Sequence, residues 1–264
     1  MTRLLTTTVL AIVAGLASQA IPAAQSQPTT LHLIISNGIR TVLERVIPEY
    51  EKSAKVHLDI EWGASNVHKR TIEGGKAFDA TIVTPVVIDD LIKQGLVVAA
   101  SRTDIAKSDL AIGMHSGGAK SDVGTPDKLK ARLLAAKTVT YAREGAATGT
   151  FNQMMATLGI TDAMQAKIVL QPPGTMPADT VAEGQNELVF APVSELIAVK
   201  NVEVLGHFPQ QFQSPVVMIG GVSAKAAHAD AAKALLAYLA SSKVDPVVKS
   251  SGMERLPAGH EGHH

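Results

Sequence analysis

Residues 31–40 read Leu31-His32-Leu33-Ile34-Ile35-Ser36-Asn37-Gly38-Ile39-Arg40, and this stretch decides the fold. Its apolar first half predicts a short buried β-strand, which Ser36-Asn37-Gly38 ends. A helical period begins at once, because apolar residues follow at Ile39, Val42, Leu43, Val46, Ile47 and Tyr50. A strand that turns tightly into a helix leaves the first N–H groups of that helix unpaired, and such an end attracts anions.

The same strand–turn–helix pattern recurs along the chain. Residues 56–62 alternate between apolar and polar side chains, which predicts a strand that ends at Gly63-Ala64-Ser65-Asn66. Ser65 is placed to N-cap the next helix. The strand 78–83 ends at Thr84-Pro85, and the strand 137–143 ends at the turn 144–150. Each polar residue at these turns could simply cap its helix. The recurrence favours anion binding, because ligands of open α/β sheets sit at the carboxyl ends of the strands.

The alternation of strands and helices predicts an α/β protein with mostly parallel sheets flanked by helices. We expect two lobes with the ligand cleft between them, because the last strand and helices of the chain return to complete the first lobe. The predicted boundaries are 28–104 with 213–255 for the first lobe and 105–212 for the second. The chain then crosses between the lobes twice, near 99–107 and near 207–215, where hinge closure would occur.

Residues 1–24 are predicted to be a signal peptide rather than part of the fold. Arg3 supplies the positive start, residues 9–17 form a short apolar core, and small residues follow for cleavage. We therefore expect export, and the lack of a cysteine to carry a lipid anchor favours the periplasm. Residues 256–264 are expected to be a flexible tail, whose histidines we do not interpret as a metal site.

Composition excludes several classes of function. The formal net charge is zero and aromatic residues make up only 3% of the chain, so we expect no nucleic-acid partner. There are no cysteines, hence no thiol nucleophile and no cysteine-based zinc site. No P-loop, Gly-x-Ser-x-Gly or His-Glu-x-x-His motif occurs. We therefore expect no cofactor, no resident metal and no enzymatic activity.

Several of these segments resemble the type II periplasmic solute-binding proteins, close to the molybdate-binding component of ABC importers. The resemblance covers residues 30 to 255 and rests on Ser36, on Gly63-Ala64-Ser65, and on three longer segments. These segments are Phe78-Asp79-Ala80-Thr81-Ile82, Val189-Phe190-Ala191-Pro192-Val193-Ser194-Glu195-Leu196 and Gly252-Met253-Glu254. It implies a two-lobed receptor, usually monomeric, that delivers a small anion to an ABC transporter permease in the inner membrane.

The resemblance also implies which residues hold the anion. Ser36 and Ser65 match the two serines of the molybdate binders, and the turn 145–150 would supply N–H groups from the second lobe. The tyrosine of that family has no counterpart in Val189-Phe190-Ala191-Pro192. Arg40 and Arg143 are candidates to pair with a carboxylate, although either arginine could be a solvated surface residue.

The function predicted from the sequence is therefore a periplasmic receptor that binds a molybdate-type oxyanion by hinge closure. Two alternatives stay open, namely the same fold binding a small organic acid, and a ligand sensor that does not serve transport. A third, an exported hydrolase or isomerase on the same fold, is disfavoured by the missing motifs. The residues expected to bind the ligand are Ser36, Asn37, Gly38, Arg40, Ser65, Thr84, Arg143, Ala147, Thr148, Gly149, Phe190 and Ala191.

Overall fold

The computed structural model describes residues 28–256 of the chain. The predicted signal peptide and residues 257–264 of the predicted tail lie outside this range. Within it, no helix combines the length and the apolar character that a membrane span requires.

Ten strands and ten helices build the described part of the chain. The strands are β1 (Thr29–Ser36), β2 (Val56–Gly63), β3 (Ala80–Val83), β4 (Thr103–Ser108), β5 (Leu110–His115), β6 (Val139–Ala142), β7 (Ile168–Gln171), β8 (Leu188–Pro192), β9 (Val202–His207) and β10 (Val216–Val222). The helices are α1 (Arg40–Ala54), α2 (Ser65–Glu73), α3 (Pro85–Lys93), α4 (Pro126–Ala135), α5 (Thr148–Thr157), α6 (Thr161–Gln165), α7 (Pro177–Ala182), α8 (Val193–Leu196), α9 (Ala229–Ala240) and α10 (Asp245–Ser250).

The strands form two five-stranded sheets, which confirms the predicted two-lobed α/β fold. Their orders are β2-β1-β3-β10-β4 and β7-β6-β8-β5-β9. In each sheet, the first two neighbouring pairs are parallel and the last two are antiparallel, so the sheets are mixed rather than mostly parallel. The antiparallel pairs arise because β10 and β5, the strands that follow the two crossings, enter their sheets against the direction of β3 and β8.

The first crossing between the sheets differs in position from the sequence prediction, whereas the second, between β9 and β10, lies within the predicted segment 207–215. Strand β4 pairs with β10 of the first sheet as far as Ser108, and β5 of the second sheet begins at Leu110. The first crossing is therefore at Asp109, whereas the sequence placed the boundary at residues 104 and 105. The polar pair Ser108-Asp109 marks the end of β4, and strand pairing shows that the chain changes sheets there.

Strand β1 is the centre of the first lobe. Leu31, Leu33 and Ile35 face the core beneath α1, while Ile34 packs on the opposite face of the sheet. Both faces of the strand are covered by helices, which explains why its sequence is a nearly continuous apolar run. Burial of both faces also holds the end of β1 at Ser36 in one position.

Asp79 connects two segments of the first lobe through buried hydrogen bonds. Its side chain is buried and accepts hydrogen bonds from the backbone N–H groups of His32 and His228, each at 2.9 Å. These contacts join β1 to the segment that leads into α9. Because both carboxylate oxygens accept a donor, the buried charge is compensated.

We expect Asp79→Ala to lower the free energy of unfolding by about 1–3 kcal/mol, because two buried N–H groups would lose their acceptor. Urea denaturation followed by circular dichroism would measure the change. The matched control is Asp59→Ala, which removes a carboxylate that is 64% exposed and paired with His32 at the surface. Equal effects of the two substitutions would contradict the role of Asp79.

Candidate functional site: a cleft between the two lobes

A cleft of about 80 Å³ lies where the two lobes face each other, enough space for several water-sized groups. The first lobe contributes the turns after β1 and β2. The second contributes the turn after β6, the segment after β7 and the end of β8. Its lining includes Ser36, Asn37, Gly38, Gly63, Ala64, Ser65, Glu144, Gly145, Ala146, Ala147, Thr148, Phe151, Gln171, Met176, Phe190, Ala191, Glu195 and Met218.

Ser36 stands at the first of these turns and is buried. Its Oγ accepts a hydrogen bond from the N–H group of Gly38 at 3.4 Å, so it caps the 3-10 turn that precedes α1, which is the alternative that the sequence left open beside anion binding. Its hydroxyl hydrogen remains available to a ligand. A Cβ atom on Gly38 would lie 2.9 Å from Cε of Met218, so the turn packs closely against the end of this β10 side chain.

Ser65 holds a different position from the one predicted. It is the first residue of α2 rather than the N-cap, which is Ala64 and makes no side-chain cap bond. The Ser65 Oγ instead accepts the backbone N–H of Thr84 at 3.2 Å, so the hydroxyl hydrogen is free to donate into the cleft. The capping prediction was wrong because the turn is one residue shorter than the polar run suggests.

His68 supports the cleft floor from behind. It is 1% exposed, and its Nε2 lies 2.9 Å from the carbonyl oxygen of Ile35 and must donate to it. Burial lowers the pKa of the imidazole, so the ring is neutral. A Cβ atom at Gly63 would lie 2.8 Å from Cε1 of His68, so the floor strand and the ring pack in direct contact.

The second lobe presents the start of α5 to the cleft. Thr148 Oγ1 donates to the carbonyl oxygen of Ala142 at 2.7 Å and fixes the turn between β6 and the helix. Ala147, at the N-cap, is buried and lines the cleft. Together with the start of α2, this places two helix N-termini at one cleft, and their partial positive charges favour an anion between them.

The back wall of the cleft is aromatic. Phe190 is buried at the centre of a cluster with Tyr141, Phe151 and Phe208, with ring centroids 5.1 to 5.9 Å from its own. The hydroxyl of Tyr141 donates to Asn152 Oδ1 at 2.7 Å inside the lobe. The wall at Phe190 therefore offers carbon surface rather than a hydroxyl group.

Two carboxyl groups are the charged groups of the cleft lining, and within residues 28–256 no lysine or arginine joins them there. Glu144 stands at the rim, where its Oε2 pairs with Nη2 of Arg70 on α2 at 2.8 Å and links the two lobes. Glu195 lines the cleft and also the adjoining pocket, beside Arg40, Glu44 and Asp179. Burial raises the pKa of Glu195 to about 7.

Four residues predicted for the site do not line the cleft. Arg40 Nε pairs with Oε1 of Glu44 at 2.6 Å, and its guanidinium lies 5.3 Å from the ring centroid of Trp62. Arg143 is exposed and, together with Gly149, lines a separate open pocket that adjoins the cleft beside α2. Thr84 contributes its N–H group to Ser65 and lies behind the lining.

The structure brings other groups to the cleft that the sequence did not single out. The segment after β7, including Gln171 and Met176, forms one wall, and Met218 of β10 forms part of the base. Glu195 had a recognisable signal, because it follows a buried strand at the start of a helix, as Ser36 and Ser65 do. No group of His, Asp and Glu within residues 28–256 is arranged to hold a metal ion.

The base of the cleft also connects the lobes. Ser194 is buried and donates its hydroxyl to the carbonyl oxygen of Gly38 at 3.3 Å. Thr41 Oγ1 donates to the carbonyl oxygen of Ser194 at 3.0 Å. These bonds hold the turn after β1 against the start of α8, so the Ser36 and Glu195 regions have a defined relative position.

The fold and the cleft are those of a two-lobed binding protein, and the chain belongs to the family of bacterial extracellular solute-binding proteins, whose model matches residues 31–254. This confirms the family resemblance seen in the sequence. An aconitate isomerase from a Pseudomonas species is 30% identical over 243 residues, which cover 90% of this chain and 92% of that protein.

Other relatives are molybdate binders. The molybdate-binding protein ModA of Azotobacter vinelandii is 26% identical over 253 residues, which cover 92% of this chain and 95% of that protein. The solved structure of the periplasmic molybdate-binding protein from Azotobacter vinelandii superposes with a TM-score of 0.71 at 18% identity, covering 86% of this chain and 99% of that one. At that identity the likeness shows the shared fold alone.

The carboxyl group of Glu195 gives the stability of the fold a pH dependence. Its pKa is about 7 in the folded protein against the ordinary glutamate value of 4.5, so between these values the folded state holds the extra proton. The stability attributable to this group is therefore greatest at low pH and is lost as pH rises through about 7. A glutamine side chain at this position does not titrate, so its contribution to stability does not change with pH.

We expect Glu195→Gln to gain stability relative to the parent protein between about pH 5 and about pH 8. Thermal unfolding at matched ionic strength would follow the difference in melting temperature between the two proteins across this range. Glu183→Gln, an exposed change on the same lobe, should give a constant difference. A constant difference for Glu195→Gln as well would contradict the raised pKa.

Proposed function

We propose that this protein binds a small organic acid carrying more than one carboxylate in the cleft between its lobes. The observation that carries the proposal is the carboxyl group of Glu195 in the cleft wall. A tetrahedral oxyanion carries charged oxygen on every side, so one of its faces would meet this carboxyl group. An organic acid can direct its carboxylates to the donors of Ser36 and Ser65 and place its carbon atoms beside Glu195.

The wall chemistry supports the same ligand class. Phe190, Ala147 and Met218 cover the cleft with carbon surface next to the hydroxyl and N–H donors. The oxygen atoms of an inorganic oxyanion would lose their water at such a wall and find no hydrogen-bond donor there, which costs free energy. A carbon skeleton gains from the same contact. The relative named as an aconitate isomerase makes aconitate, a tricarboxylate, the first ligand to test.

Molybdate is the second candidate, and a specific observation favours it. Ser36 and Ser65 each keep a free hydroxyl hydrogen at the carboxyl end of a parallel strand, the arrangement that the resemblance to the molybdate binders implies. A molybdate-binding relative that matches over most of both chains supports this reading. Neutral donors of this kind bind an oxyanion without a cationic partner.

The biological role follows from the family. As a member of the extracellular solute-binding proteins, this chain would act as a monomer in the periplasm and hand its ligand to an ABC importer permease. The ligand would close the lobes about the crossings at Asp109 and at residues 208–215. The rim pair between Arg70 and Glu144 would help to hold the closed form, although an exposed ion pair contributes at most about 1 kcal/mol.

A panel of ligands separates the two candidates. We expect cis-aconitate, trans-aconitate or a related polycarboxylate to raise the melting temperature, because a ligand at 100 times its Kd stabilises the folded state by about 2.7 kcal/mol. Molybdate, tungstate and sulfate form the other arm of a differential scanning fluorimetry series at constant ionic strength. A shift with molybdate and none with any carboxylate would reject the organic-acid proposal in favour of the second candidate.

Ser65→Ala tests the placement of the ligand. The change removes a hydroxyl donor to a charged group, so we expect the ligand identified above to bind more weakly by about 1–3 kcal/mol. Isothermal titration calorimetry would measure the loss. Ser53→Ala is the control, since the Ser53 hydroxyl lies on α1 and donates only to the carbonyl oxygen of Tyr50. Unchanged affinity in Ser65→Ala would place the ligand elsewhere.

A further inference from the structure

Glu195 occupies a position that simple anion binding does not explain. It belongs to α8, which directly follows β8, and it lines both the central cleft and the adjoining pocket. Asn37 and Met176 line the same two spaces, so these three residues form the partition between them. A carboxyl group in this partition lines the same cleft as Ser36 and Ser65, the groups to which we assign the carboxylates of the ligand.

No group within residues 28–256 pairs with the Glu195 carboxyl, and burial is the single cause of its raised pKa. Arg40 lines the adjoining pocket but is already bound to Glu44 and stacked over Trp62. The remaining charged neighbours, Glu44 and Asp179 in that pocket and Glu144 in the cleft, have the same sign as Glu195. Within residues 28–256, no positively charged group therefore pairs with this carboxyl group beside the ligand space.

Asn37 is the second unsatisfied group of the partition. Its Oδ1 is buried and has no hydrogen-bond partner within residues 28–256. Buried amide groups of this kind are normally bonded, so the missing partner points to a ligand. The amide oxygen and nitrogen are interchangeable in such an assignment, hence Asn37 can accept from a ligand or donate to its carboxylate.

We propose that the cleft also performs proton transfer, in which Glu195 takes a proton from a carbon atom of a bound unsaturated polycarboxylate and returns it to another. This inference rests on the proposed function, because it requires a carboxylate at the serine end of the cleft. It adds an activity and assigns Glu195 as the catalytic residue.

The step needs no cofactor and its atoms balance. The Glu195 carboxylate removes a proton from a CH₂ group next to the carbon–carbon double bond, and the C–H electron pair becomes a new double bond. The original π electron pair moves toward a substrate carboxylate, which becomes an enolate. The hydroxyl groups of Ser36 and Ser65 and the N–H groups at the start of α2 stabilise its negative charge. The protonated Glu195 then gives the proton to the former vinyl carbon, and the enolate collapses. The product is an isomer of the substrate.

The surroundings of the two cleft carboxyl groups assign the role to Glu195, which lines the cleft without an ion-pair partner among the described residues. A pKa of about 7 leaves the group partly protonated near neutral pH, which suits a residue that serves as base and then as acid. Glu144 is held by the Arg70 guanidinium at the rim, so its oxygen atoms are directed to that ion pair. Phe190 and Phe151 exclude water from the wall beside the ligand and limit the loss of the abstracted proton to solvent.

Proton NMR in deuterium oxide with cis-aconitate or trans-aconitate as the probe tests the inference. We expect the protein to convert one isomer into the other. Incorporation of solvent deuterium at the CH₂ position would report any exchange of the abstracted proton during the conversion. Glu195→Gln should reduce the rate by at least about 100-fold, the usual size of a general base contribution. The same variant should still show a thermal shift with aconitate. Glu183→Gln on the same lobe should keep the parent rate.

The outcomes separate this inference from the proposed function. A thermal shift with aconitate and no isomerisation by the parent protein would overturn the proton transfer and leave the receptor proposal intact. Conversion that persists at the parent rate in Glu195→Gln would overturn the assignment of Glu195. The absence of a thermal shift with any carboxylate would remove the proposed function, and the inference would fall with it.

Discussion

A helix that begins at the carboxyl end of a buried strand cannot bond its first N–H groups within itself, and this constraint shapes the whole molecule. The turns after β1, β2, β6 and β8 all have this form, and all four line one cleft. Two lobes are needed because each sheet can expose only its own strand ends. The facing lobes enclose these ends, and an anion between them satisfies groups that the protein leaves open.

Asp79 and Glu195 both carry carboxyl groups with little exposure, and their different surroundings give one a structural role and leave the other available to a ligand. Asp79 accepts N–H groups from His32 and His228, so its charge is compensated and it joins β1 to the start of α9. Glu195 has no partner within the described residues, and the cost of burying its charge shows in a pKa of about 7. A group left in this condition at a cleft wall is available to a ligand.

Much of the fold could be predicted from local pattern. The apolar run of β1 and the helical period of α1 are correct because both depend on which faces are buried. The boundary between the lobes was misplaced because a single residue, Asp109, separates β4 from β5, and only their pairing partners assign these strands to different sheets. The sequence likewise could not show that Ser65 lies inside α2. The helix begins one residue earlier than predicted, so the Ser65 hydroxyl does not cap it and can donate to a ligand.

Sequence by itself determined where strands turn into helices, because Gly, Ser and Pro at the turns and the apolar periods on either side act over a few residues. It thereby identified Ser36, Ser65 and the turn before α5. Only the tertiary structure decided which side chains meet. Glu144 at the cleft rim pairs with Arg70, which lies 74 residues away along the chain, Arg143 is exposed beside the cleft, and Ser194, next to Glu195, bonds to Gly38 across the lobes. The physical reason is that a charged side chain binds the nearest partner in space, and distance along the chain does not define that partner.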